Sequence, residues 1–341
     1  MENNNKKDYA KNQKTDMNIR LSIIIPFYNV EQYIAQCLDS VYKQDIPENE
    51  YEVICVNDAS PDGSREIVKE YQKKHKNLIL VEHEVNKKLG SARNTGRRIA
   101  KGKYLWNVDS DDMIAPNCLK EMLDICDTNE LDVFVFSFYR HKGGKLLPRG
   151  VEPWMDINSV YTGLTFWKHQ GIRNQKEVAP VWTQLYRKSY LDAKNIYSPE
   201  INMGEDVPYS YASILLADRM MACNKPYYVY RVNEASLTGG INHAPKPEIV
   251  YENCFVCSKR MNDIIQRIPK SETDIVKTVK STQQYIVWQY QQFASCMDIH
   301  GRKELARLVR RNFLRNMFVF GLMGWRRKIA YIVFSLSGKI I

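Results

Sequence analysis

LSIIIPFYN, residues 21–29, is a short, almost wholly apolar run that is rich in Ile and ended by Pro26. Runs of this kind are typical of strands that are buried on both faces, as in parallel sheets. The next residues, VEQYIAQCLDSVYKQ (30–44), place apolar side chains at helical spacing. The chain therefore opens with a predicted buried strand followed by a predicted helix.

The same alternation continues over the next hundred residues. Further strands are predicted at 51–58, 77–83, 104–109 and 132–141, and further helices at 60–75, 90–102 and 117–126. This order predicts an α/β fold with a parallel, doubly wound sheet and helices on both faces. The pattern loosens after 141 through Gly- and Pro-rich sequence, and beyond Pro247 the chain is predicted to be helical to its end.

The composition is that of an ordinary globular protein, with 44% hydrophobic and 26% charged residues in a chain of 341. The net charge of +10 is uneven, because residues 302–341 hold ten Lys and Arg against one acidic residue, Glu304. A nearly neutral body with a basic tail gives no reason to expect a nucleic-acid partner. The eight cysteines show no paired framework, and Cys254 and Cys257 are predicted to pack within a helix.

The two ends of the chain differ in character. Residues 1–18 are polar and rich in Asn and Lys, which predicts a disordered leader without a secretion signal. Residues 302–341 alternate cationic and apolar clusters, and no apolar run in the chain reaches the ~18 residues of a membrane span. The tail has two readings, a helix lying in the headgroup layer of an anionic membrane or a helix packed on the rest of the protein.

Three acidic residues crowd the end of the fourth predicted strand, in KGKYLWNVDSDDM (101–113). Asp109 and Asp111 are two positions apart, so an extended strand end would point both carboxylates to one side. Such a pair can hold a divalent cation through oxygen ligands. The alternative is that Asp111 or Asp112 caps the helix that follows.

Polar residues lie at the end of each of the first four predicted strands. In an open α/β sheet, ligands bind beyond the carboxyl ends of the strands, so these positions predict one site. The residues are Tyr28 and Asn29 after the first strand, Asn57 and Asp58 at the second, Asn86 and Lys87 after the third, and Asp109, Asp111 and Asp112 at the fourth.

Five segments of the chain resemble glycosyltransferase family 2 in their order and spacing. They are LSIIIPFYNVEQYIAQCLDSVYKQ, YEVICVNDASPDGS, NKKLGSARNTG (86–96), AKGKYLWNVDSDD and GED (204–206). The resemblance covers residues 19–240 and implies a GT-A fold, a nucleotide-sugar donor, a divalent metal (Mn²⁺ or Mg²⁺) and inversion at the anomeric carbon. On this basis, 19–125 is expected to bind the nucleotide-sugar and 126–240 the acceptor, followed by a helical basic region at 241–341.

The resemblance also implies roles for single residues. Those expected at the donor are Pro26, Tyr28, Asn29, Glu31, Asp58, Lys88, Arg93, Asp109 and Arg231. Asp58 matches the acid that hydrogen-bonds the base, usually uracil, and Ser236 is expected to close over the donor with Arg231. The implied metal ligands are Asp111 and Asp109, with His243 as a further candidate. The family often has a second acid where this chain has Asn57, and a pair such as Gly-Leu in place of Lys87-Lys88.

An inverting transfer also needs a base that takes the proton of the acceptor hydroxyl. GED offers Glu205 and Asp206, and we expect Asp206 to be the base with Glu205 supporting it. Without the resemblance, an acid at a helix start is more simply explained by compensation of the helix dipole.

The predicted function is that of an inverting, hexosyltransferase-type enzyme. It would move a sugar from a UDP-linked donor to a saccharide or lipid-linked saccharide acceptor in cell-surface polysaccharide synthesis, in the cytoplasm at the inner face of the membrane. One rival is a nucleotidyltransferase, which should have a Gly-rich loop directly after the first strand, where this chain has PFYNVEQY. The other is an inactive nucleotide-sugar-binding protein. A dehydrogenase is excluded because no G-x-G-x-x-G follows a strand.

Overall fold

The computed structural model describes residues 19–149, 159–170, 180–201, 204–232, 246–282 and 297–311. Within these ranges nine strands alternate with helices along the chain. The strands are β1 Leu21–Phe27, β2 Tyr51–Asn57, β3 Leu78–Glu82, β4 Tyr104–Asn107, β5 Met113–Ile114, β6 Val133–Lys142, β7 Lys145–Arg149, β8 Gln184–Arg187 and β9 Met220–Arg231.

The helices lie between the strands and, from residue 247 onward, follow one another. They are α1 Ile34–Val41, α2 Ser64–Lys74, α3 Lys88–Ile99, α4 Leu119–Thr128, α5 Gly163–Gln170, α6 Lys188–Ala193, α7 Asp206–Leu215, α8 Pro247–Arg267, α9 over 273–282, and α10 Ile299–Arg311. A 3₁₀ turn at Val181–Thr183 leads into β8.

The strands form one mixed sheet in the order β3-β2-β1-β4-β8-β6-β9-β5, with β7 paired to β6. Strands β1 to β4 are mutually parallel, as predicted. Beyond β4 the sheet is no longer wholly parallel, because β8 runs antiparallel to β4 and to β6. Both predicted halves, 19–125 and 126–240, therefore contribute strands to the same sheet.

Side chains of β1 alternate between two apolar layers, which explains why the whole run is buried. Ile23 and Ile25 pack in the layer that contains α1 and α4, whereas Ile24 packs in the layer that contains α3, α7 and α8. Burying each Ile contributes about 1.5–3 kcal/mol. The prediction of helices on both faces of the sheet is confirmed.

The helical region after residue 246 packs on the rest of the protein as far as it is described. On α10, Leu305 and Ala306 are buried against the core that includes α8, while Lys303, Arg307 and Arg311 are exposed. The packed reading of the tail therefore holds for Ile299–Arg311. Residues 312–341 and the predicted leader 1–18 lie outside the described residues. Among the helices that are described, none combines the length and the apolar character needed to cross a bilayer.

Candidate active site

The loops after β1 and β2 are tied to each other at the carboxyl edge of the sheet. The backbone N–H of Asn29 donates to Ser60 Oγ at 2.7 Å, and that of Glu31 donates to Asp62 Oδ2 at 2.8 Å. Asn29 adopts a left-handed backbone conformation (φ 57°), which turns the chain sharply. The turn leaves Tyr28 47% exposed beside these loops. Pro26, which is also predicted to contact the nucleotide-sugar, is buried within β1.

Asp58 is buried and holds the start of α3. Its Oδ1 accepts a hydrogen bond from the backbone N–H of Lys87 at 2.7 Å, and its Oδ2 accepts one from that of Lys88 at 2.8 Å. A carboxylate beside the free N–H groups of a helix start is favourable, because it meets both their hydrogen-bonding need and the positive end of the dipole. Lys88 has φ 74° and an exposed side chain.

The acidic residues after β4 form a turn, which we call the acid turn (109–112). Strand β4 ends at Asn107, and Asp112 N donates to Asp109 O at 3.1 Å. The expectation that Asp109 and Asp111 continue an extended strand is therefore wrong. The capping alternative is also wrong, because α4 begins only at Leu119 after Cys118. A compact turn lets three carboxylates share one small region.

Asp112 is buried and fastens the acid turn to β9. Its carboxylate accepts hydrogen bonds from Tyr228 Oη at 2.8 Å and from Arg231 N at 2.7 Å. Burial and the charges of Asp109 and Asp111 raise the pKa of Asp112 to about 8. Asp112 thus stabilises the fold of the turn, and its carboxylate is engaged by these two hydrogen bonds.

The Arg231 side chain also lies against the acid turn. Its Nε donates to the Asp111 carbonyl oxygen at 2.9 Å, and its Nη2 donates to Gln36 Oε1 at 2.7 Å. The guanidinium stands 5.2 Å from the ring centre of Tyr33. Arg231 therefore joins α1, β9 and the turn, while its contact with a donor stays a prediction. Ser236 and His243, the other predicted residues of this segment, lie outside the described residues.

Asp111 is the carboxylate of the turn that remains available. Its side chain is partly buried, and its own backbone N–H and the charge of Arg231 stabilise the ionised form. Burial and the charge of Asp109 nevertheless raise its pKa to about 6, because these two effects outweigh the stabilisation by Arg231 and the backbone N–H. The described residues contain no group of three or more His, Cys, Asp or Glu side chains arranged around a metal. The carboxylates of Asp111 and Asp109 are oxygen ligands that suit Mg²⁺ or Mn²⁺, and these ions take further ligands from water and phosphate.

Arg93 connects the acid turn to the start of α7. Its side chain is 4% exposed, and its guanidinium contacts Asp109 at 2.8 Å and Glu205 at 3.2 Å. A third ion pair joins the same guanidinium to Asp206. We call Arg93, Asp109, Glu205 and Asp206 the arginine cluster. The cluster brings together acids that are almost one hundred residues apart. These ion pairs explain why Arg93 is buried, although an arginine on a helix could also lie at the surface.

The two acids of α7 have different surroundings. Gly204 adopts φ 82°, and the resulting turn places Glu205 at the helix N-cap with Asp206 directly after it. The side chain of Glu205 is 8% exposed and that of Asp206 is 37% exposed. Burial and the charge of Asp206 raise the pKa of Glu205, and Arg93 offsets part of this effect. Asp206 is therefore the carboxylate that a solvent-borne hydroxyl can reach.

Asn94 supports the site, although no motif in the sequence assigns it this role. Its side-chain amide donates to the Ser198 carbonyl at 2.9 Å and accepts from Ser198 N at 3.0 Å. Gly90 lies on the same helix, and a Cβ there would be 2.0 Å from the carbonyl oxygen of Pro199. Helix α3 thus holds the segment that leads to Glu205. The presence of Asn within a helix, where it is disfavoured, was the available signal.

Comparison with known proteins places these residues in a family. Residues 22–191 match the family described as Glycosyl transferase family 2. An uncharacterized glycosyltransferase of Bacillus subtilis, EpsJ, is 32% identical over 220 residues, which are 64% of this chain and 62% of that protein. The poly(ribitol-phosphate) beta-glucosyltransferase of Bacillus spizizenii is 30% identical over 77% of this chain and 39% of that protein. The chain thus spans less than two thirds of either relative.

Solved structures share the fold. Staphylococcus aureus TarS residues 1–349, in complex with UDP-GlcNAc, superimposes with a TM-score of 0.64 at 24% identity over 94% of this chain and 89% of that one. The mannosyltransferase PcManGT of Pyrobaculum calidifontis, in complex with GDP-Man and Mn²⁺, gives a TM-score of 0.53 at 16% identity over 94% of this chain and 88% of that one. The predicted GT-A fold is confirmed.

Proposed function

The chain belongs to glycosyltransferase family 2, and we propose that it is an inverting enzyme that moves a sugar from a UDP-linked donor to a saccharide or lipid-linked saccharide acceptor. The arginine cluster carries this proposal. It sets the acid turn, which suits a cation and a diphosphate, beside a half-exposed carboxylate on another element. A group that stabilises the leaving diphosphate and a base for the acceptor are the two requirements of an inverting transfer.

The proposal of a UDP-linked donor rests on the residues that follow β1, β2 and β3. Tyr28, Asn29 and Glu31 line one loop, and Asp58 lies beneath the next, at the carboxyl edge where α/β sheets bind ligands. The fold-sharing TarS structure holds UDP-GlcNAc. Both observations support a UDP-linked donor with its base near Asp58 and its diphosphate near Lys88.

A divalent cation is part of the proposal because the acid turn fits one. Asp111, with Asp109 beside it, would supply the carboxylate oxygens, and PcManGT was solved with Mn²⁺. When bound, Mn²⁺ or Mg²⁺ would supply Lewis-acid stabilisation of the leaving diphosphate. Arg93 meanwhile keeps Asp109 in position, and Arg231 holds the backbone of the turn.

Asp206 is the proposed base. Its carboxylate is the more exposed of the pair, and Arg93 fixes its direction without enclosing it. Glu205 is nearly buried at the helix N-cap, so an acceptor hydroxyl reaches it less easily, and it is better suited to supporting the helix start. The proton of the acceptor hydroxyl would pass to Asp206 as the oxygen attacks the anomeric carbon and the bond to the diphosphate breaks.

The acceptor is proposed to be a cell-surface polymer or its lipid-linked precursor. The Bacillus spizizenii relative is named a poly(ribitol-phosphate) beta-glucosyltransferase, and a Staphylococcus aureus relative, 32% identical over 214 residues, a poly(ribitol-phosphate) beta-N-acetylglucosaminyltransferase. A chain working on such acceptors would act in the cytoplasm, at the inner face of the membrane.

A panel of nucleotide-sugars tests the function directly. With Mn²⁺, we expect release of UDP from at least one UDP-sugar, and faster release when an acceptor saccharide is added. Release of pyrophosphate from a nucleoside triphosphate and a sugar phosphate would identify a nucleotidyltransferase instead. Tight binding of a UDP-sugar without turnover, with every acceptor tried, would favour the inactive binding protein.

The first prediction concerns the metal. Asp111→Asn removes one negative oxygen ligand, so we expect Mn²⁺ to bind at least about tenfold more weakly in the presence of UDP. Calorimetry of Mn²⁺ binding to the UDP complex measures this without any turnover. Asp112→Asn is the matched control, because Asp112 is buried and hydrogen-bonded within the fold. Equal Mn²⁺ affinity in wild type and Asp111→Asn would remove Asp111 from the metal site.

The second prediction concerns membrane contact through residues 302–341. Changing Arg326, Arg327 and Lys328 to Glu in the full chain should weaken flotation with anionic liposomes at least tenfold, since each cation near such a surface contributes about 1 kcal/mol. Lys73, Lys74 and Lys76 changed to Glu are the control, because they are exposed on or beside α2 and carry the same charge change. Equal loss in both variants, or in neither, would contradict contact through the tail.

A further inference from the structure

His83 is buried and takes no part in the proposed transfer of the sugar. It lies immediately after β3, and its two ring nitrogens contact different elements. Nδ1 is 2.7 Å from Asp58 Oδ1, and Nε2 is 3.0 Å from Thr95 Oγ1 on α3. His83 therefore links the carboxylate at the end of β2 to the helix that carries the arginine cluster.

The contact with Asp58 determines which nitrogen of His83 carries the proton, because a carboxylate oxygen accepts a hydrogen bond and Nδ1 must therefore donate it. Arg98 Nη2 donates to Thr95 Oγ1 at 2.8 Å, so the hydroxyl accepts from the arginine and keeps its own hydrogen to donate. That hydrogen can be donated to His83 Nε2, an arrangement that is compatible with a proton on Nδ1. In the neutral ring the proton is left on Nδ1, facing Asp58. His83 thus donates a hydrogen bond to the carboxylate.

This bond nearly completes the hydrogen bonding of Asp58. A carboxylate has roughly four acceptor positions, two on each oxygen. Among the residues that the structure describes, Oδ1 accepts from His83 Nδ1 and Lys87 N, and Oδ2 accepts from Lys88 N. One acceptor position remains, and it is on Oδ2.

We propose that His83 is a positioning residue that holds Asp58 with a single free acceptor, and that it thereby selects a nucleobase presenting one ring N–H, such as uracil. This inference rests on the proposed function, because it assumes that the donor base lies at Asp58. Uracil offers N3–H between two carbonyl groups, which matches one acceptor. Cytosine presents a lone pair at N3, which the carboxylate repels, and guanine presents two neighbouring donors, for which a second acceptor would be needed.

Two substitutions of His83 separate its two contacts. In His83→Asn the amide nitrogen takes the place of Nδ1 and can still donate to Asp58, but the contact with Thr95 is lost. In His83→Gln the longer side chain reaches Thr95 as Nε2 does, but no donor stands at the Nδ1 position. Both variants therefore keep a polar side chain, and they differ in whether the contact with Asp58 or the contact with Thr95 is kept.

Calorimetry with UDP and with CDP, each with Mn²⁺, is the test. We expect wild type to prefer UDP, and His83→Asn to keep both its UDP affinity and its UDP-over-CDP ratio within about threefold. His83→Gln should bind UDP about tenfold more weakly and lose about tenfold of the ratio, the effect of one hydrogen bond to a charged group. At saturating donor, kcat should stay within about twofold in both variants, because the reacting atoms are elsewhere.

A parallel loss of UDP and CDP binding in His83→Gln, with the ratio unchanged, would show a merely structural role and overturn the proposal. So would equal behaviour of His83→Asn and His83→Gln. Circular dichroism and thermal melting check folding, and His83→Ala, which has no donor and introduces no clash, replaces His83→Gln if that variant does not fold. Failure of wild type to bind UDP would instead overturn the proposed function, so the two failures are distinguishable.

Discussion

Asp206→Asn is expected to lower kcat by about 10²–10⁴-fold, the usual contribution of a general base. The amide cannot accept the proton of the acceptor hydroxyl, but it has the same shape and leaves Arg93 paired with Asp109 and Glu205. UDP should therefore bind with an affinity within about threefold of wild type. Initial rates with donor and acceptor measure the first quantity, and calorimetry with UDP and Mn²⁺ measures the second.

Glu205→Gln is the matched control for this prediction. Glu205 is the less exposed acid of the pair, so the change should reduce kcat far less than Asp206→Asn does. A large loss in Glu205→Gln together with nearly normal turnover in Asp206→Asn would reverse the assignment of the base. Nearly normal turnover in both variants would remove this pair from the mechanism and leave the transfer without its proposed base.

Arg93→Met should destabilise the protein by about 3–5 kcal/mol, because it leaves buried acids without their cation. The guanidinium is 4% exposed and is shared by Asp109, Glu205 and Asp206, so solvent cannot easily replace it. Turnover should also fall, since the acid turn and α7 lose the group that joins them. Thermal or urea unfolding measures the first effect, and initial rates under conditions where the variant is folded measure the second.

Arg97→Met distinguishes the cluster from a general effect of burying an arginine. Arg97 lies one turn further along α3, is also buried, and pairs with Asp192 and the carbonyl of Ile196. Its loss should lower stability but leave kcat per folded molecule nearly unchanged. If Arg93→Met and Arg97→Met reduce activity equally, the arginine cluster has no special part in the reaction.

Adding Glu205→Gln and Asp206→Asn to Arg93→Met should recover part of the lost stability, because two of the buried charges that lost their arginine are then removed.

Much of the fold was predictable because its signals are local. The run from Leu21 to Phe27 is buried at every position, and the spacing of Ile34, Cys37, Leu38 and Val41 gives a helix one buried face. Each of these patterns depends on neighbours in the sequence. The predicted ends were less accurate. The first helix begins at Ile34 and not at 30, because residues 31–33 form a turn before it.

The candidate site was predictable in its membership and much less in its internal contacts. Asp58, Asp109, Asp111, Glu205 and Asp206 were all proposed from motifs that resemble the family. The burial of Arg93, the use of Asp112 by β9 and the contact of His83 with Asp58 had no local signal. Each depends on a partner between 25 and about 120 residues away, so spacing along the chain could not indicate it.

The sequence by itself determined the alternation of strands and helices, the edge of the sheet where polar residues gather, and the family. These follow from hydrophobic periodicity and from short motifs, both of which are written in consecutive residues. Only the tertiary structure decided how the acids differ from one another. Asp111 is only partly buried, Asp112 is buried, and Glu205 and Asp206 share one arginine with unequal exposure. The physical reason is that the ionisation and reach of a carboxylate depend on burial and on charges brought near by folding, which chemically identical side chains in a sequence do not reveal.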